Sequence, residues 1–444
     1  MKKSSLIGHV CELLDLVRPL KQPADIIVKD FFRTRHYLGS KDRRFISETL
    51  YDILRNYRLA RFHAEAGMKQ AGISAPHVPS LLIYISYVLK IRKEEPAAIL
   101  PDFQGMWRIS FPKVECEVVL NAIVSSSFPI EIENNSIRKL GLLYSIPDFI
   151  VEEWVGRFGE AETVQICESM NRSAPITIRV NTLKATVEAC QERLAGEGIA
   201  SKRTPLSPFG LILEKRINSQ ALQSFKDGWF EMQDEGSQML SMLLEPKQGS
   251  LVVDACAGGG GKTLHIAALM SNEGEIHSID VDEKRLFNIQ VRLQRAGITI
   301  ARLHHQRKVG NDIAVLKNSA DGVLVDAPCS GVGTFRRNPA AKLGINEDYV
   351  RQMAATQQSI LDTYSELVKP GGRLVYTTCT LLRIENEDVV EKFLSSHPEF
   401  DLVSAPGILK SQNVPVETSA PFLTLFPQNA GTDGFFAAVM CRKT

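Results

Sequence analysis

The sequence predicts an α/β protein with a doubly wound parallel sheet at the C-terminus, preceded by a small α+β module and an all-α bundle. From about residue 236 to the end, short apolar runs alternate with helical patterns, as in parallel strands joined by crossover helices. From about 136 to 235 the two patterns are mixed, and up to about 135 apolar residues recur every three or four positions. The length of 444 residues fits two or three domains.

The predicted elements follow this order. In the bundle, residues 1–135, the apolar spacing predicts helices over Leu6–Val17, Ala24–Arg35, Asp42–Ala66 and Val78–Ile91. In the module, residues 136–235, it predicts helices over Asp148–Phe158, Ala161–Met170 and Val187–Gly196, and strands over Pro175–Val180, Leu211–Leu213 and Trp229–Met232. In residues 236–444 it predicts strands over Ser250–Asp254, Glu275–Ile279, Thr299–Leu303, Asp321–Val325, Gly372–Thr377, Phe400–Val403 and Phe435–Arg442, and helices over Lys262–Met270, Glu283–Ala296, Ala355–Leu367 and Glu385–His397.

Composition limits the class of protein. Hydrophobic residues make up 44% and charged residues 23%, as in soluble globular proteins. No apolar run is long enough for a membrane span and no signal peptide is evident, so we expect a cytoplasmic protein without a membrane partner. The eight cysteines are scattered without close pairs, which predicts free thiols and no metal site.

Net charge is +1, but residues 1–60 hold twelve Lys/Arg against seven Asp/Glu. Lys41, Arg43, Arg44, Arg55 and Arg58 lie close together in sequence. Such a cluster can attract phosphates, and a solvated helix face explains it equally well.

Two cysteines stand apart from the others. Cys329 (Val-Asp-Ala-Pro-Cys-Ser-Gly) and Cys379 (Thr-Thr-Cys-Thr) each follow a short apolar run, so each is expected at the carboxyl end of a buried strand, where open α/β sheets bind ligands. A thiolate there can act as a nucleophile, and a second can assist release. The helix predicted after Cys379 favours its thiolate form. A chemical role is not expected for the other cysteines that lie outside the motifs, which should pack as buried small apolar residues: Cys11, Cys116, Cys167, Cys190 and Cys441.

A glycine-rich loop follows the first strand of the sheet, and its residues are the predicted cofactor contacts: Cys256, Ala257, Gly258, Gly259, Gly260, Gly261 and Lys262. An NTPase phosphate loop would need glycine at Cys256, and a dinucleotide fingerprint starting at Gly258 would need glycine at Thr263. S-adenosylmethionine sites tolerate a looser pattern, so this cofactor is preferred.

Three further polar residues belong to the predicted site. Asp280 closes the second strand, where a carboxylate reaches ribose hydroxyls in NAD enzymes and methyltransferases alike. Asp282 is a possible helix cap. Arg285 is expected in the first turn of the same helix and is also a candidate for cofactor binding. Asp326 ends the fourth strand beside Cys329, where it can face both cofactor and substrate.

These groups together suit a methyltransferase acting on a pyrimidine. Carbon 5 of cytosine becomes nucleophilic only when a thiolate adds to carbon 6, and the carbon-5 proton must afterwards leave. The reaction needs a nucleophile, an acid near the ring and a group that manages elimination. Cys379, Asp326 and Cys329 fill these roles.

The motifs together resemble the Sun family of RNA cytosine-5 methyltransferases over nearly the whole chain. The stretches that carry the resemblance are Asp254–Thr263, Asp280, Asp326–Gly333 with Arg336–Pro339, Thr378–Thr380 with Glu385–Glu387, and Thr432–Phe436. The resemblance implies a Rossmann-like methyltransferase domain at 236–444 with Gln233-Asp234 at its entry, an RNA-contacting module at 136–235 that includes Arg179–Lys184, and a NusB-like RNA-binding domain at 1–135. It implies that Cys379 attacks and Cys329 assists release, with small-subunit ribosomal RNA as the expected substrate, no DNA, and a monomeric enzyme.

Two departures from the family pattern concern the cofactor pocket. Gly258-Gly259 stands where the family usually has Ala-Pro, and ordering this looser loop costs about 1 kcal/mol per residue. The family aspartate after the third strand is replaced within His304-His305-Gln306-Arg307; Gln306 is the expected substitute on the adenine amino group, and Asp312 a less favoured one. A catalytically weakened RNA-binding or ribosome-assembly homologue, and a nucleotide hydrolase using Gly261-Lys262-Thr263, are the alternatives.

Overall fold

The computed structural model describes residues 1–306, 315–416 and 420–444, so Arg307 and Asp312 lie outside the described residues. It forms two compact units. The first comprises Met1–Ser173 with Phe335–Asn346, and the second Ala174–Thr334 with Glu347–Thr444. The three-part division at residues 135 and 235 stays a prediction. Within the described ranges, no helix combines the length and apolar character needed to cross a membrane.

The first unit is helical, as predicted, and its likeness to NusB stays a prediction. Its helices are α1 (Lys3–Val17), α2 (Ala24–Arg33), α3 (Ser40–Arg55), α4 (Tyr57–Gln70), α5 (Ser80–Ser86) with a π-helical turn (Tyr87–Ile91), α6 (Pro96–Ser110), α7 (Cys116–Ser125), α8 (Ile130–Glu133), α9 (Ser136–Leu143), α10 (Asp148–Phe158) and α11 (Glu160–Met170). Apolar residues at three- and four-residue spacing, such as Leu50, Ile53 and Leu54 of α3, are fully buried in its core.

One predicted helix is wrong: Asp42–Ala66 is two helices that meet at Asn56. Asn56 leaves the helical conformation (φ −113°, ψ 21°), and its side-chain Nδ2 donates to Asp52 O at 2.9 Å. Asparagine competes in this way with the backbone ladder. Ser145 Oγ accepts a hydrogen bond from Arg58 N at 3.1 Å, which satisfies an early N–H of α4.

Only part of the predicted basic cluster is exposed at the surface. Arg55 is buried, and Arg58 pairs with Asp148 at 2.7 Å. Lys41 and Arg44 remain exposed. The cluster that could attract phosphates therefore shrinks to its first turn, because the later arginines bind other parts of the helical unit.

The segment Phe335–Asn346 belongs to the first unit although it follows the Cys329 motif in sequence. Within it, a 3-10 turn spans Pro339–Leu343. The buried Lys342 Nζ donates to Arg55 O at 3.3 Å, to Tyr144 O at 3.0 Å and to Asn171 Oδ1. Burial lowers the pKa of Lys342 to about 7. The hydrogen bonds that hold Phe335–Asn346 against the helices therefore come from an amine that titrates near neutral pH.

The second unit contains a small antiparallel sheet of β1 (Ile176–Val180), β2 (Ser201–Arg203), β3 (Gly210–Leu213) and β4 (Phe230–Met232), in the order β2-β3-β1-β4. With it come α12 (Val187–Gly196), a 3-10 turn (Ser219–Ala221) and α13 (Gln223–Lys226). Ile178, Val180, Leu194 and Phe230 form its separate buried core. The sequence missed β2, whose three residues carry no apolar pattern.

The large sheet comprises β5 (Leu251–Asp254), β6 (Glu275–Asp280), β7 (Ala301–His305), β8 (Ala320–Asp326), β9 (Val368–Thr378), β10 (Phe400–Val403), β11 (Leu423–Leu425) and β12 (Phe435–Arg442). The helices are α14 (Glu235–Met242), α15 (Gly261–Leu269), α16 (Glu283–Ala296), α17 (Glu347–Ser365), α18 (Glu387–Ser396), α19 (Ala405–Ser411) and α20 (Pro427–Ala430), with 3-10 turns at Val332–Thr334 and Arg383–Glu385. The order is β10-β12-β9-β8-β5-β6-β7, and β11 pairs with β12.

Residues alternate between two cores along each strand of this sheet. Val253, Val323 and Leu374 lie in the core with α17 and α18, whereas Val252, Leu324 and Val375 face the core with α14, α15 and α16. The predicted doubly wound sheet is confirmed, with one difference: β12 runs antiparallel to β9 and β10. Successive crossovers run from β5 to either side, so the ends of β5 and β8 flank the switch point, where open α/β sheets bind ligands.

Candidate active site

The two predicted thiols meet at adjacent strand ends. Strands β8 and β9 are parallel neighbours with Asp326 opposite Thr377, so the loops that follow both strands emerge at one edge. Cys329 Sγ lies 3.3 Å from Cys379 Sγ, and Cys379 N donates to Cys329 Sγ at 3.3 Å. Both cysteines are half-buried.

The surroundings distinguish the two sulfurs. The hydrogen bond with Cys379, burial and the nearby Glu385 carboxylate raise the pKa of Cys329 well above its usual value. Cys329 is therefore a thiol at neutral pH. Its S–H can be donated to the sulfur of Cys379.

Glu385 holds the loop that carries Cys329. Its buried carboxylate accepts hydrogen bonds from Ser330 N at 2.8 Å, Ser330 Oγ at 2.5 Å and Gln357 Nε2 at 3.0 Å. Gln357 Nε2 also donates to Pro328 O at 2.9 Å. Burial raises the pKa of Glu385, while these donors oppose the rise. The residues on both sides of Cys329 are thus held by polar groups.

Asn386 does the same for Cys379. Its Oδ1 accepts from Thr378 Oγ1 at 2.6 Å, and its Nδ2 donates to Thr380 O at 3.1 Å. The carbonyl of Cys379 accepts from Gly333 N at 2.9 Å. Glu385 and Asn386 belong to a motif in the sequence that does not indicate what they contact, and no sequence pattern points to Gln357.

The glycine-rich loop connects β5 with α15. Gly258 and Gly260 have φ of +56° and +79°, which favours glycine. A Cβ on Gly260 would lie 2.9 Å from Ile289. Ala257 N donates to Ile279 O at 2.9 Å and Gly258 N to Asp280 Oδ2 at 2.8 Å, so the loop follows the neighbouring strand end.

The predicted ribose-binding carboxylate is in place beside this loop. Asp280 is buried, and its Oδ1 accepts from Asp282 N at 2.9 Å. Asp282 caps α16 as predicted, accepting from Lys284 N at 2.8 Å. Arg285 is more than half exposed and stays 3.9 Å from Asp280 Oδ2.

Gln306 is exposed and directly follows β7, whose His305 lies opposite Asp280. Its neighbour Arg307 and the second candidate, Asp312, fall in the stretch that the structure does not describe. Gln306 thus reaches the correct edge of the sheet, and its contact with adenine stays a prediction.

Lys262 and Asp326 form an ion pair at 2.6 Å, and Asp326 Oδ1 accepts from Thr377 Oγ1 at 2.9 Å. Thr263 Oγ1 donates a hydrogen bond to Asp254 Oδ2 at 2.7 Å. In a phosphate loop the lysine and threonine would face the phosphates and their metal ion, so this geometry does not favour a nucleotide hydrolase.

Two buried groups lie beneath the loop. Burial raises the pKa of Asp254 to about 6, and its Oδ1 has no hydrogen-bond partner among the described residues. Burial, aided by Asp326, raises the pKa of Cys256, which makes it a poor nucleophile. The orphaned Asp254 oxygen, the Asp280 carboxylate and the positive-φ loop together fit S-adenosylmethionine, and the contact of Asp280 with its ribose hydroxyls stays a prediction.

Comparison with known proteins identifies related methyltransferases. Residues 241–441 match the family model for 16S rRNA methyltransferase RsmB/F, and residues 146–220 match that for the ferredoxin-like domain of RsmF/B-like methyltransferases. The chain is 30% identical over 455 residues to the probable ribosomal RNA small subunit methyltransferase B of Bacillus subtilis, covering 100% of both chains. It is 30% identical to the corresponding protein of Synechocystis, covering 91% of this chain and 92% of that one.

Solved structures give the same result. The crystal structure of PH0851 superposes with a TM-score of 0.78 at 29% identity, covering 99% of this chain and 98% of that one. A methyltransferase homologue from Pyrococcus horikoshii superposes with a TM-score of 0.61 at 28% identity, covering 70% and 99%. With the fold, the cofactor loop and the full-length likeness agreeing, the chain belongs to the RsmB/F family of S-adenosylmethionine-dependent 16S rRNA methyltransferases, as its resemblance to the Sun family predicted.

Proposed function

We propose that this protein transfers a methyl group to carbon 5 of a cytosine in small-subunit ribosomal RNA through a covalent Cys379–cytosine adduct. The observation that carries the proposal is the pair of thiols 3.3 Å apart beside the Lys262–Asp326 ion pair. The names of the relatives from Bacillus subtilis and Synechocystis support ribosomal RNA of the small subunit as the substrate.

The residues divide the reaction between them. The Cys379 thiolate adds to carbon 6 of the cytosine, and Asp326 hydrogen-bonds the ring edge and favours protonation of the ring nitrogen, which leaves an enamine with electron density at carbon 5. S-adenosylmethionine supplies the methyl group as an electrophile to that carbon. A base then removes the carbon-5 proton, and the electron pair left by that carbon–hydrogen bond restores the double bond as the sulfur–carbon-6 bond breaks and Cys379 returns to its thiolate form.

Cys329 is proposed to act at this last step. It lies against Cys379 on the side held by Glu385, and it is protonated at neutral pH before the reaction begins. Its proximity to the sulfur that must leave supports a role in release rather than in attack.

Cysteine variants test the assignment. Cys379→Ala should abolish methyl transfer, whereas Cys329→Ala should still form the adduct and remain attached to RNA on a denaturing gel. Bisulfite sequencing of a small-subunit rRNA substrate reads the product. Cys441→Ala, a half-buried free thiol at the end of β12, is the matched control and should turn over normally.

Full turnover by Cys379→Ala would contradict the nucleophile assignment. Adduct formed by Cys379→Ala and not by Cys329→Ala would exchange the two roles. Calorimetric titration with S-adenosylmethionine addresses the alternative of a weakened homologue, which the Gly258-Gly259 loop and Gln306 motivate: absence of heat with the wild-type protein would favour that alternative.

A further inference from the structure

Two buried charged residues of the small sheet bind on or near the cofactor loop. Arg179 on β1 and Glu231 on β4 are register partners in the antiparallel pairing, and both are buried. Buried charges are unfavourable unless they are paired and hydrogen-bonded. Their partners are therefore informative, and they lie on and beside the loop between β5 and α15.

Arg179 binds the loop directly. Its Nη1 donates to Gly261 O at 2.7 Å and to Gln233 Oε1. The resemblance placed Arg179 in an RNA-contacting stretch, but its guanidinium is enclosed within the protein. Asn181 of the same stretch likewise donates to protein carbonyls, Gly228 O at 2.9 Å and Ala296 O at 3.0 Å.

Glu231 reaches the loop through one arginine of α16. Its Oε2 accepts from Arg292 Nη2 at 2.9 Å and from Arg292 Nε at 3.2 Å. Arg292 Nη1 in turn donates to Gly259 O. Arg295, on the same helix, binds Glu231 Oε1 but stacks over the Phe225 ring at 3.9 Å.

The carbonyls on both sides of Gly260 thus accept hydrogen bonds that depend on the small sheet. Arg179 of β1 donates to Gly261 O, and Arg292, which Glu231 of β4 binds, donates to Gly259 O. The loop needs such restraint, because ordering each flexible residue on binding costs conformational entropy and so weakens the affinity. Gly258 and Gly259 have no side chains to supply it. The opposite side of the loop is held by Gly258 N to Asp280 Oδ2 at 2.8 Å, and Asp280 is the residue predicted to bind the ribose.

We propose that Arg179 and Glu231 are positioning residues for S-adenosylmethionine, with Arg292 as the link: the small sheet holds the four-glycine loop in its binding conformation through Gly261 O and Gly259 O. The proposal rests on the cofactor site and is independent of the cysteine chemistry. It makes the small sheet part of the cofactor pocket's support.

Arg292 and Arg295 form a matched pair for the test. Both bind Glu231, and only Arg292 touches the loop. Calorimetric titration of the full chain with S-adenosylmethionine, without RNA, should give a dissociation constant about ten- to a hundredfold weaker for Arg292→Gln, the range expected for a lost charge-assisted hydrogen bond. Arg295→Gln should bind within about twofold of wild type. Arg292→Lys should recover part of the loss, because its ammonium can still donate to a carbonyl.

Unfolding temperatures of the variants, measured without cofactor, separate positioning from general stability. Equal unfolding temperatures with unequal dissociation constants support the proposal. Wild-type affinity in Arg292→Gln, or equal loss in Arg292→Gln and Arg295→Gln, overturns it. Cys379→Ala should bind the cofactor like wild type, so a failure of the adduct mechanism leaves this result unaffected.

Discussion

Cys329 and Cys379 are both thiols, and different neighbours hold them in place. The hydrogen bond with Cys379, burial and the Glu385 carboxylate raise the pKa of Cys329. Asn386 binds the Thr378 hydroxyl and the Thr380 carbonyl on either side of Cys379. A one-residue shift in either loop would separate sulfurs that lie 3.3 Å apart. At the scale of single residues, the site therefore depends on the buried polar groups behind the thiols.

Glu385→Gln tests that dependence. A glutamine keeps one acceptor and places an amide N–H among the donors of Ser330 and Gln357, so the Cys329 loop should shift. We expect product release to slow by about ten- to a hundredfold, as for the loss of a hydrogen bond to a charged group, with adduct accumulating on denaturing gels. Affinity for S-adenosylmethionine should stay the same.

The matched control for this change is Glu366→Gln, an exposed glutamate that pairs with Lys317. It should release product at the wild-type rate. Normal release by Glu385→Gln would show that Ser330 and Gln357 hold the loop without it.

At the scale of elements, the apolar spacing predicted most boundaries because each element packs one regular face. The predicted bounds of α10, α12, α16, β10 and β12 are those observed. The spacing failed at Asn56, where a side chain bonds the backbone of its own helix, and at β2, which is short and polar. At such positions hydrogen bonds determine where an element begins and ends, and the spacing of apolar residues gives no information about them.

Lys342, in the Pro339–Leu343 turn, makes the stability of its segment depend on pH. A free lysine titrates near pH 10.4, whereas burial lowers the pKa of Lys342 to about 7. Between these values the unfolded chain binds more protons than the folded one, so the contribution to stability is smallest below about pH 7 and rises with pH above it. The free energy of unfolding of wild type relative to Lys342→Met should therefore increase by up to about 1.4 kcal/mol per pH unit above pH 7.

Urea unfolding of both proteins from about pH 7 to 9.5 measures this slope. Lys139→Met, which removes a partly exposed lysine of the same unit paired with Glu133, is the control and should show no comparable slope. A constant difference between wild type and Lys342→Met over this range would contradict the prediction.

At the scale of the whole molecule, we expect RNA binding to depend on those residues of the predicted basic cluster that are exposed in the structure. Of the predicted cluster, Arg55 and Arg58 bind within the first unit, and the partly buried Arg43 donates to Leu38 O at 2.9 Å. Lys41 and Arg44 remain exposed, Arg44 in a surface ion pair with Glu48 at 3.0 Å. If both contact phosphates, Lys41→Gln with Arg44→Gln should reduce the slope of log affinity against log salt by about 1 to 2. Filter binding of the full chain to a small-subunit rRNA fragment at several salt concentrations measures it.

Lys317→Gln, an exposed lysine of the second unit, serves as the control and should leave the slope unchanged. An unaltered slope in the double variant would show that the first turn of α3 lies outside the RNA-binding surface.

The class of fold, the position of most strands and helices along the chain, and the cysteines, aspartates and glycines at the strand ends could be predicted from the sequence. These features follow from local periodicity and from motifs whose residues are adjacent in the chain. The sequence did not reveal that Glu385 and Gln357 hold the Cys329 loop, that Lys262 pairs with Asp326, that Arg55 is buried, or that Arg179 and Arg292 bind the carbonyls of the glycine loop. Most of these contacts join residues far apart in sequence, and a side chain's partner across a fold leaves no periodic trace in the chain that carries it.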